Sequence, residues 1–363
     1  MNPDAKYWVA LSTHRKIKAQ TFTRLHLKFK ILKNVWQASE RELTEAGLEL
    51  GQIKAVKEVI TKKNPDQEIE KLKKQQIEVI ILPDKDYPKL LYEIADPPGL
   101  LYLKGRILPQ DELAIAVVGS RKYTAYGERA TEEIVLPLAR AKITIISGLA
   151  SGIDAVAHQK ALEAKGRTMA VLACGFDQIY PRANIRLADK ILASDGAIIS
   201  EFPLGRPALT GNFPLRNRII AGLSLGTVVV EATENSGSLL TATAAIDYNR
   251  EVFAVPGEIF KETSQWTNRL IKMGAKLITC YQDILDELAI EEQGKFHKAR
   301  KVIGDTKEEE ILLKLLRKPI LIDTLVIRSG LKAAMVNSTL IQLEIKGKVQ
   351  NLGGTRYVVR GKL

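Results

Sequence analysis

Short apolar segments alternate with helical segments after Leu113, and this alternation constrains the fold more than any other feature of the sequence. The apolar segments are rich in Val, Ile, Leu and Ala, as strands of a parallel sheet buried on both faces are. Helices between successive strands would cover those faces. The pattern therefore predicts an α/β domain built on an extended, Rossmann-like, doubly wound parallel sheet.

The pattern also places the elements of this sheet. Strands are predicted at residues 113–118, 143–147, 168–172, 197–200, 227–231, 251–254 and 276–279. Helices are predicted between them, at residues 126–141, 152–164, 184–193, 216–223, 239–249 and 268–273. A further apolar run at 77–82 predicts an earlier strand. The proline-rich segment 87–105 is interpreted as a connection, because proline fits neither a long helix nor a central strand.

The two ends of the chain predict smaller helical domains. Residues 1–75 are typical of a small bundle, with helices at 7–11, 19–32, 34–37, 40–46 and 50–62 and an amphipathic segment at 65–75. Residues 294–306 form a polar, basic linker, and three helices at 307–316, 320–329 and 332–346 precede a hairpin at 348–360 that turns at Gly353 and Gly354. This order predicts a winged helix over 307–363, with the α/β domain spanning 76–293.

The net charge of +12 is distributed unevenly, with +7 in residues 1–75, −4 in 76–294 and +9 in 295–363. Basic ends indicate a polyanionic partner, most often nucleic acid, or simply a solvated helix surface. No apolar run reaches about 18 residues, so neither export nor a membrane span is expected. Cys174 and Cys280 are expected to be free thiols of a cytoplasmic protein.

Small and polar residues follow three of the predicted strands. Because carboxyl ends of parallel strands meet at one edge, where helix N-termini favour anions, these residues are candidates for a phosphate-binding edge. They are Gly119, Ser120 and Arg121 after the first strand, Ser147 and Gly148 after the second, and Ser236, Gly237 and Ser238 after the fifth. The spacing of Gly119 and Gly127 does not match a dinucleotide fingerprint, so no cofactor is expected.

The segment FPLRNR places Phe213 beside Arg216 and Arg218. An aromatic ring next to guanidinium groups can stack a base while phosphates are held, which suits single-stranded nucleic acid. The alternative is a buried phenylalanine with an arginine pair bonded to carboxylates such as Glu231.

No catalytic or metal-binding constellation is recognisable in the sequence, and an enzyme is not expected. Asp154 and His158 lie four residues apart on one helix, which favours a structural pair over a general base. The alternative function is a nucleotide-binding enzyme that cleaves N-glycosidic bonds, with Glu231 and Arg121 stabilising an oxocarbenium ion.

Several ordered motifs resemble the DprA (Smf) family of DNA-processing proteins. They are VVGSR, ISGLASGIDAVAH, IYPRAN, FPLRNRIIAGLS, VVVEA, SGSLLTA, VFAVPG and NRLIKMGA, and they span residues 113–275. The resemblance implies a SAM-like N-terminal domain, a Rossmann-like domain and a winged helix. It implies binding and protection of incoming single-stranded DNA in natural transformation, loading of the RecA recombinase, and a homodimer.

The resemblance also implies which residues meet the DNA. Those not yet named are Arg182, Asn212 and Asn217, which join Arg121, Phe213, Arg216 and Arg218. Thr210 stands where the family often has lysine, so Arg206 could supply the missing charge. Trp266 replaces a small residue, and the segment STHRKIKAQ lacks the glycines of a helix-hairpin-helix turn.

Overall fold

A nine-stranded mixed sheet organises the first of two compact units in the computed structural model, Met1–Glu291 and Glu292–Leu363. The structure describes residues 2–234, 236–290, 305–316, 320–346, 348–351 and 356–359. The strands of the sheet are β1 (Glu78–Ile81), β2 (Leu100–Gly105), β3 (Ala114–Val118), β4 (Thr144–Ser147), β5 (Thr168–Leu172), β6 (Ala197–Ser200), β7 (Gly226–Val229), β8 (Glu251–Ala254) and β9 (Lys276–Leu277).

The strand order is β1-β2-β6-β5-β4-β3-β7-β8-β9, and β3 to β9 are mutually parallel. The chain builds outward from β3 to β6 on one side and from β7 to β9 on the other, as in a doubly wound sheet. Alternate residues of β3 enter two separate apolar clusters, Ala116 and Val118 on one face, Ile115 and Val117 on the other. Both faces are therefore buried, which confirms the predicted fold class and strands.

The interpretation of residues 87–105 as a connection is wrong at its end, because Leu100–Gly105 forms strand β2. This strand pairs antiparallel with both β1 and β6, so that Tyr102 lies opposite Val79 and Ser200. The prolines precede the strand and leave its backbone donors free for pairing. The buried Tyr102 hydroxyl lies 2.5 Å from the hydroxyl of Ser12.

The helices of this unit agree with the predicted order. They are α1 (Ala5–Ser12), α2 (Ala19–Phe29), α3 (Glu40–Glu45), α4 (Leu50–Lys62), α5 (Pro65–Lys74), α6 (Lys89–Tyr92), α7 (Ala125–Arg140), α8 (Ile153–Glu163), α9 (Ile185–Ala193), α10 (Asn212–Gly222), α11 (Ser238–Asp247), α12 (Glu262–Lys272) and α13 (Tyr281–Glu287). Helix α10 begins four residues before the predicted start, because Pro214 lies in its first turn, where proline is tolerated. The sequence did not predict α6 or α13.

The N-terminal helices share a buried core with the sheet. Trp8 stacks on Phe22 with ring centroids 5.3 Å apart, and both rings belong to the apolar cluster that contains Leu101 and Ile198. Gly99 lies against Phe22 so closely that a Cβ atom there would overlap the ring. The domain boundary after residue 75 stays a prediction, since one core continues across it.

The second unit has the winged-helix order of elements. Its described elements are α14 (Lys307–Leu315), β10 (Ile320–Leu321), α15 (Ile322–Ser329), α16 (Ala333–Ile345), β11 (Val349–Asn351) and β12 (Arg356–Val359). The strands pair in the order β10-β12-β11. Strand β10 takes the first two residues of the helix predicted at 320–329. The turn at Gly353 and Gly354 and most of the linker at 294–306 lie outside the described residues.

Two lysines that flank α16 are engaged in ion pairs within this unit. Lys346 lies 2.7 Å from carboxylate oxygens of both Asp305 and Glu309, and Lys348 lies 3.0 Å from Asp305. Contact of these lysines with a DNA duplex would therefore compete with existing pairs. Across the described ranges, no helix combines the length and apolar character needed to cross a membrane.

Candidate nucleic-acid interface

A cleft opens at the carboxyl ends of β3, β4 and β5, beside the first turn of α10. Its space, counted together with the part open to solvent, is about 400 Å³, and it is lined by Arg121, Gly148, Ala150, Ser151, Ala173, Tyr180, Pro181, Phe213 and Arg216. The sequence predicted four of these residues as ligand contacts, and the strand-end edge is where they were expected. The described lining residues include two cations and no carboxylate.

Phe213 lies at the centre of the cleft and is partly buried. The guanidinium carbons of Arg121 and Arg216 lie 5.3 and 5.9 Å from its ring centroid, within cation–π range. The ring of Tyr180 meets it edge-on, with centroids 5.9 Å apart and an interplanar angle of 64°. Two guanidinium groups and a second aromatic ring therefore lie within 6 Å of the Phe213 ring centroid.

Arg216 is a buried cation fixed by backbone carbonyl groups. Its Nη1 donates to the carbonyl oxygens of Gly148 and Val171, and its Nε donates to Asn217 Oδ1 at 3.1 Å. A Cβ atom at Gly148 would overlap the guanidinium, so only glycine leaves room for it. Burial lowers the pKa of Arg216 to about 10, while Asp154 opposes this shift. The side chain therefore stays protonated at neutral pH and gives the cleft a positive wall.

Asp154 holds the loop that follows β4. Its Oδ2 accepts a hydrogen bond from the backbone N–H of Gly148 at 3.1 Å. Burial raises the pKa of Asp154, and the charge of Arg216 acts in the opposite direction. Gly152 allows this loop to turn, with φ of +90° and with its α-carbon so close to the Ser120 carbonyl that a Cβ atom would overlap it. The structure favours a structural role for both residues.

His158 bonds to a strand residue, and the predicted pairing with Asp154 is not present. Its Nδ1 lies 2.7 Å from Thr168 Oγ1, and no hydrogen-bond partner of Nε2 is found in the described part of the chain. Burial, assisted by the charge of Arg216, lowers the pKa of His158 to about 3. The imidazole is therefore neutral in the folded protein and unsuited to act as a general base near neutral pH.

This lowered pKa predicts an acid-dependent loss of stability. Below the ordinary histidine pKa of about 6.5, the unfolded chain binds a proton on His158 that the folded chain does not bind. The free energy of unfolding therefore falls as pH decreases. At pH 5 the loss from His158 should be about 2 kcal/mol relative to pH 7.5. His158→Gln keeps a partner for Thr168 without titrating. Urea unfolding of both proteins at the two pH values should show the smaller loss in the variant, and equal losses would contradict the assignment.

The small residues at the strand ends pack against other parts of the protein or form hydrogen bonds to its backbone. Gly119 allows close packing of β3 on α8, because a Cβ atom would lie 2.7 Å from Ile153 Cγ1. The Ser120 hydroxyl donates to the Lys122 carbonyl at 2.8 Å, and the Ser147 hydroxyl donates to the Val117 carbonyl at 2.7 Å. Both hydroxyl donors, predicted for a ligand, are used by the protein backbone.

The predicted asparagines tie neighbouring loops to α10. Asn212 Nδ2 donates to the carbonyls of Ala173 and Pro207 at 3.1 and 3.0 Å. Asn217 Nδ2 donates to the carbonyl of Gly237 at 3.0 Å, and the hydroxyls of Ser236 and Ser238 lie 2.7 Å apart in the same loop. These residues border the cleft and do not line it.

Arg218 is not placed with the other two arginines. Its Nη2 donates to both carboxylate oxygens of Glu201 at 2.6 Å, and its Nη1 donates to the Asp96 carbonyl. It lines a different groove, and its charge is already paired, so the cleft contact predicted for Arg218 is not supported. Arg182 is exposed in the short 3-10 helix Arg182–Asn184, directly after the lining residue Pro181.

The carboxylate of Glu231 accepts hydrogen bonds from other residues of the protein. It is therefore not free for the role that the enzyme alternative assigns to it. Its oxygens accept hydrogen bonds from the Thr124 backbone N–H at 2.9 Å, the Thr124 hydroxyl at 2.7 Å and the Thr263 hydroxyl at 3.1 Å. The side chain is buried against Gly127 at the start of α7. Neither Arg216 nor Arg218 bonds to Glu231, so the pair that the sequence allowed as an alternative is not formed. The described residues contain no cluster of three potential metal ligands.

Sequence reasoning missed Tyr180 as a lining residue. The signal was available in the IYPRAN segment, where a tyrosine precedes a proline in a predicted loop. Its side chain is half exposed and contacts Phe213, which lies 33 residues later in the chain. Only the tertiary structure brings the two rings together.

Comparison with known proteins agrees with the fold and the ordered motifs. Residues 78–289 match the family of DNA recombination-mediator protein A, and residues 298–355 match the DprA winged helix domain. Protein Smf of Synechocystis sp. is 34% identical over 98% of this chain and 99% of its own length. DNA processing protein DprA of Bacillus subtilis is 44% identical over 60% of this chain and 73% of its own length.

Two solved structures share the fold at substantial identity. DNA processing protein A from Streptococcus pneumoniae matches with a TM-score of 0.66 and 34% identity, over 78% of this chain and 97% of that one. The Helicobacter pylori protein, whose structure concerns its single-stranded DNA binding mode, matches with a TM-score of 0.53 and 30% identity, over 59% of this chain and 96% of that one. By these matches and by its own motifs, the chain belongs to the DNA recombination-mediator protein A family, also called DprA or Smf.

Proposed function

We propose that this chain binds single-stranded DNA in the cleft around Phe213, independently of base sequence. The observation that carries the proposal is the ring of Phe213 in the cleft, with the guanidinium groups of Arg121 and Arg216 within 6 Å of its centroid. One base would stack on or beside this ring while the exposed guanidinium of Arg121 holds a neighbouring phosphate. Stacking accepts every base, and the arginines contact the backbone that all sequences share.

The shape of the cleft favours a single strand over a duplex. In a duplex both faces of each base are already stacked, so the Phe213 ring that lines the cleft gains no stacking contact unless the base leaves the stack. The cleft also lies between loops and is not a helix or ribbon that projects into a groove of DNA. The Helicobacter pylori relative described by its single-stranded DNA binding supports the same class of ligand.

The wider role that we propose is that of a recombination mediator in the cytoplasm. In this role a homodimer protects incoming single strands during natural transformation and loads RecA onto them. Membership of the DNA recombination-mediator family supports this part of the proposal. No enzymatic step is proposed, because the cleft offers cations and an aromatic ring for binding.

Replacing Arg121 with alanine tests the cleft. We expect roughly tenfold weaker binding to oligonucleotides of unrelated sequence alike, since the lost contact is to phosphate. The slope of log affinity against log salt should become smaller by about 0.7, the value for one contact on a single strand. Fluorescence anisotropy titrations at several salt concentrations measure both.

Arg140→Ala is the matched control, because Arg140 is exposed at the other end of α7 and does not line the cleft. Equal affinity of the Arg121 and Arg140 variants would refute the assignment. Gel shifts of single- and double-stranded oligonucleotides, with and without RecA, extend the test to the mediator role. If the protein does not increase the binding of RecA to single strands, RecA loading is removed from the proposal. The assignment of the cleft as a DNA-binding site would not be affected.

A further inference from the structure

A second groove lies on the opposite side of the first turn of α10. It is bounded by the loop between α1 and α2 and by the segment between β6 and α10, and its space, counted with the part open to solvent, is about 1380 Å³. Asn212 and Leu215 line this groove, whereas Phe213 and Arg216 of the same turn line the cleft. One helical turn therefore separates the two spaces. We call the second one the seam groove.

Four cations line the seam groove, and three of them, Arg15, Lys18 and Arg206, are not engaged as Arg218 is by Glu201. Arg15 and Lys18 are exposed and Arg206 is partly buried. Within the described part of the chain, none of their side chains has a hydrogen-bond or ion-pair partner. Burial together with the neighbouring charge of Arg15 lowers the pKa of Arg206. The folded protein thus holds two guanidinium groups near each other with no carboxylate to compensate them.

The acidic residues of the groove are already neutralised. Glu201 is engaged by both bonds from Arg218 Nη2 at 2.6 Å. Asp96 Oδ1 accepts from the Tyr248 hydroxyl at 2.5 Å, and its Oδ2 lies 3.5 Å from Arg218 Nε. The carboxylates therefore face Arg218 and do not pair with Arg15, Lys18 or Arg206. The groove is left with an excess of positive charge beside an apolar floor.

Arg206 is held in place by its own backbone. Its carbonyl accepts from the Gly175 N–H at 2.9 Å, and its N–H donates to the Pro203 carbonyl at 3.2 Å. The preceding Gly205 has φ of +80° and donates its N–H to Asp177 Oδ1 at 2.8 Å. A loop anchored at these points does not have to be ordered when a ligand binds, which favours a binding role for its side chains.

We propose that the seam groove binds the phosphates of the DNA strand as it leaves the cleft, so that one strand crosses the first turn of α10 from Phe213 to Arg206. The inference rests on the proposed function, because it concerns the path of the same strand. An anion would relieve the repulsion between Arg15 and Arg206, and the exposed apolar side chains of Leu209 and Leu215 offer a surface for a base.

The test compares oligothymidylates of increasing length on the full chain. The double variant Arg15→Ala/Arg206→Ala should bind the shortest oligonucleotide that fills the cleft as the unaltered chain does. It should bind longer ones roughly tenfold more weakly, with a salt slope smaller by about 1.4 for two lost contacts. The matched control is Lys16→Ala/Arg140→Ala, which removes two exposed charges that line neither space.

Three outcomes decide between the proposals. A loss confined to longer oligonucleotides and to the Arg15/Arg206 variant supports the seam groove. If affinity depends on oligonucleotide length in the same way in both double variants, the proposal for the seam groove is wrong. The proposal for the cleft would not be affected. A failure of the unaltered chain to bind any oligonucleotide overturns the cleft and the seam groove together. Circular dichroism of each variant checks the fold, and no loss is expected since neither arginine makes a side-chain bond.

Discussion

Phe213→Ala should weaken binding of single-stranded DNA by about 5- to 150-fold, the equivalent of 1 to 3 kcal/mol for one stacked base. The ring is the aromatic centre of the cleft, and its contacts with Arg121 and Arg216 fix where a base can lie. Removing the ring deletes the stacking surface and leaves both guanidinium groups. The salt slope should therefore change little, in contrast to the effect of Arg121→Ala.

Two companion variants sharpen this experiment. Phe213→Trp keeps a stacking surface and should retain most of the affinity. Tyr92→Ala removes an exposed aromatic side chain on α6, outside the cleft, and should bind as the unaltered protein does. Anisotropy titrations with a single-stranded oligonucleotide measure all three. Equal affinity of the Phe213→Ala and Tyr92→Ala proteins would mean that no base stacks on Phe213.

Asp111→Ala should destabilise the first unit by about 3 to 5 kcal/mol, because it leaves a buried guanidinium unpaired. Asp111 accepts hydrogen bonds from Arg167 Nε at 2.6 Å and from Arg167 Nη2 at 2.8 Å. It also accepts from the Thr144 hydroxyl at 2.8 Å, and both members of the ion pair are almost fully buried. Arg167 further donates to the carbonyls of Arg106 and Asp195, so the network joins the carboxyl end of β2 to the amino ends of β3, β4, β5 and β6.

Urea unfolding followed by tryptophan fluorescence measures this loss, since Trp8, Trp36 and Trp266 all lie in the first unit. The double variant Asp111→Leu/Arg167→Met removes both charges and should recover much of the stability. The network lies at the amino ends of β3 to β6, away from the cleft. DNA affinity below the unfolding transition should therefore be unchanged, and an unaltered unfolding midpoint in Asp111→Ala would contradict the buried pair.

The charge distribution along the sequence indicates a polyanionic partner, but it does not indicate the segment that contains the cleft. The positive ends suggested that a polyanion meets residues 1–75 and 295–363, yet the cleft lies in the segment that carries −4. In the proposed site local charge matters more than the sum over a segment, since the described residues that line the cleft include Arg121 and Arg216 and no carboxylate. Two cations of the basic N-terminal segment, Arg15 and Lys18, line the seam groove, where we propose that the strand continues.

The order of strands and helices could be predicted because it depends on local patterns. Continuous apolar runs identified β3 to β9 to within a few residues, and both faces of the sheet are buried as such runs require. Strand β2 was not predicted, because the prolines that precede it were taken as evidence against a strand. The six residues of β2 itself contain no proline. The loss of predicted ligand donors at Ser120 and Ser147 could not be foreseen, since their partners are backbone carbonyls chosen by the loop geometry.

From the residues alone, an aromatic side chain and two arginines could be placed at or just before the start of one helix at the edge of a parallel sheet. The different partners of Arg216 and Arg218 became apparent in the folded chain. Residues two positions apart on a helix of 3.6 residues per turn point about 200° away from each other. Arg216 therefore enters the cleft beside Phe213, while Arg218 turns to Glu201 in the seam groove. A shared motif gave the two arginines one predicted function, and helical geometry separated them.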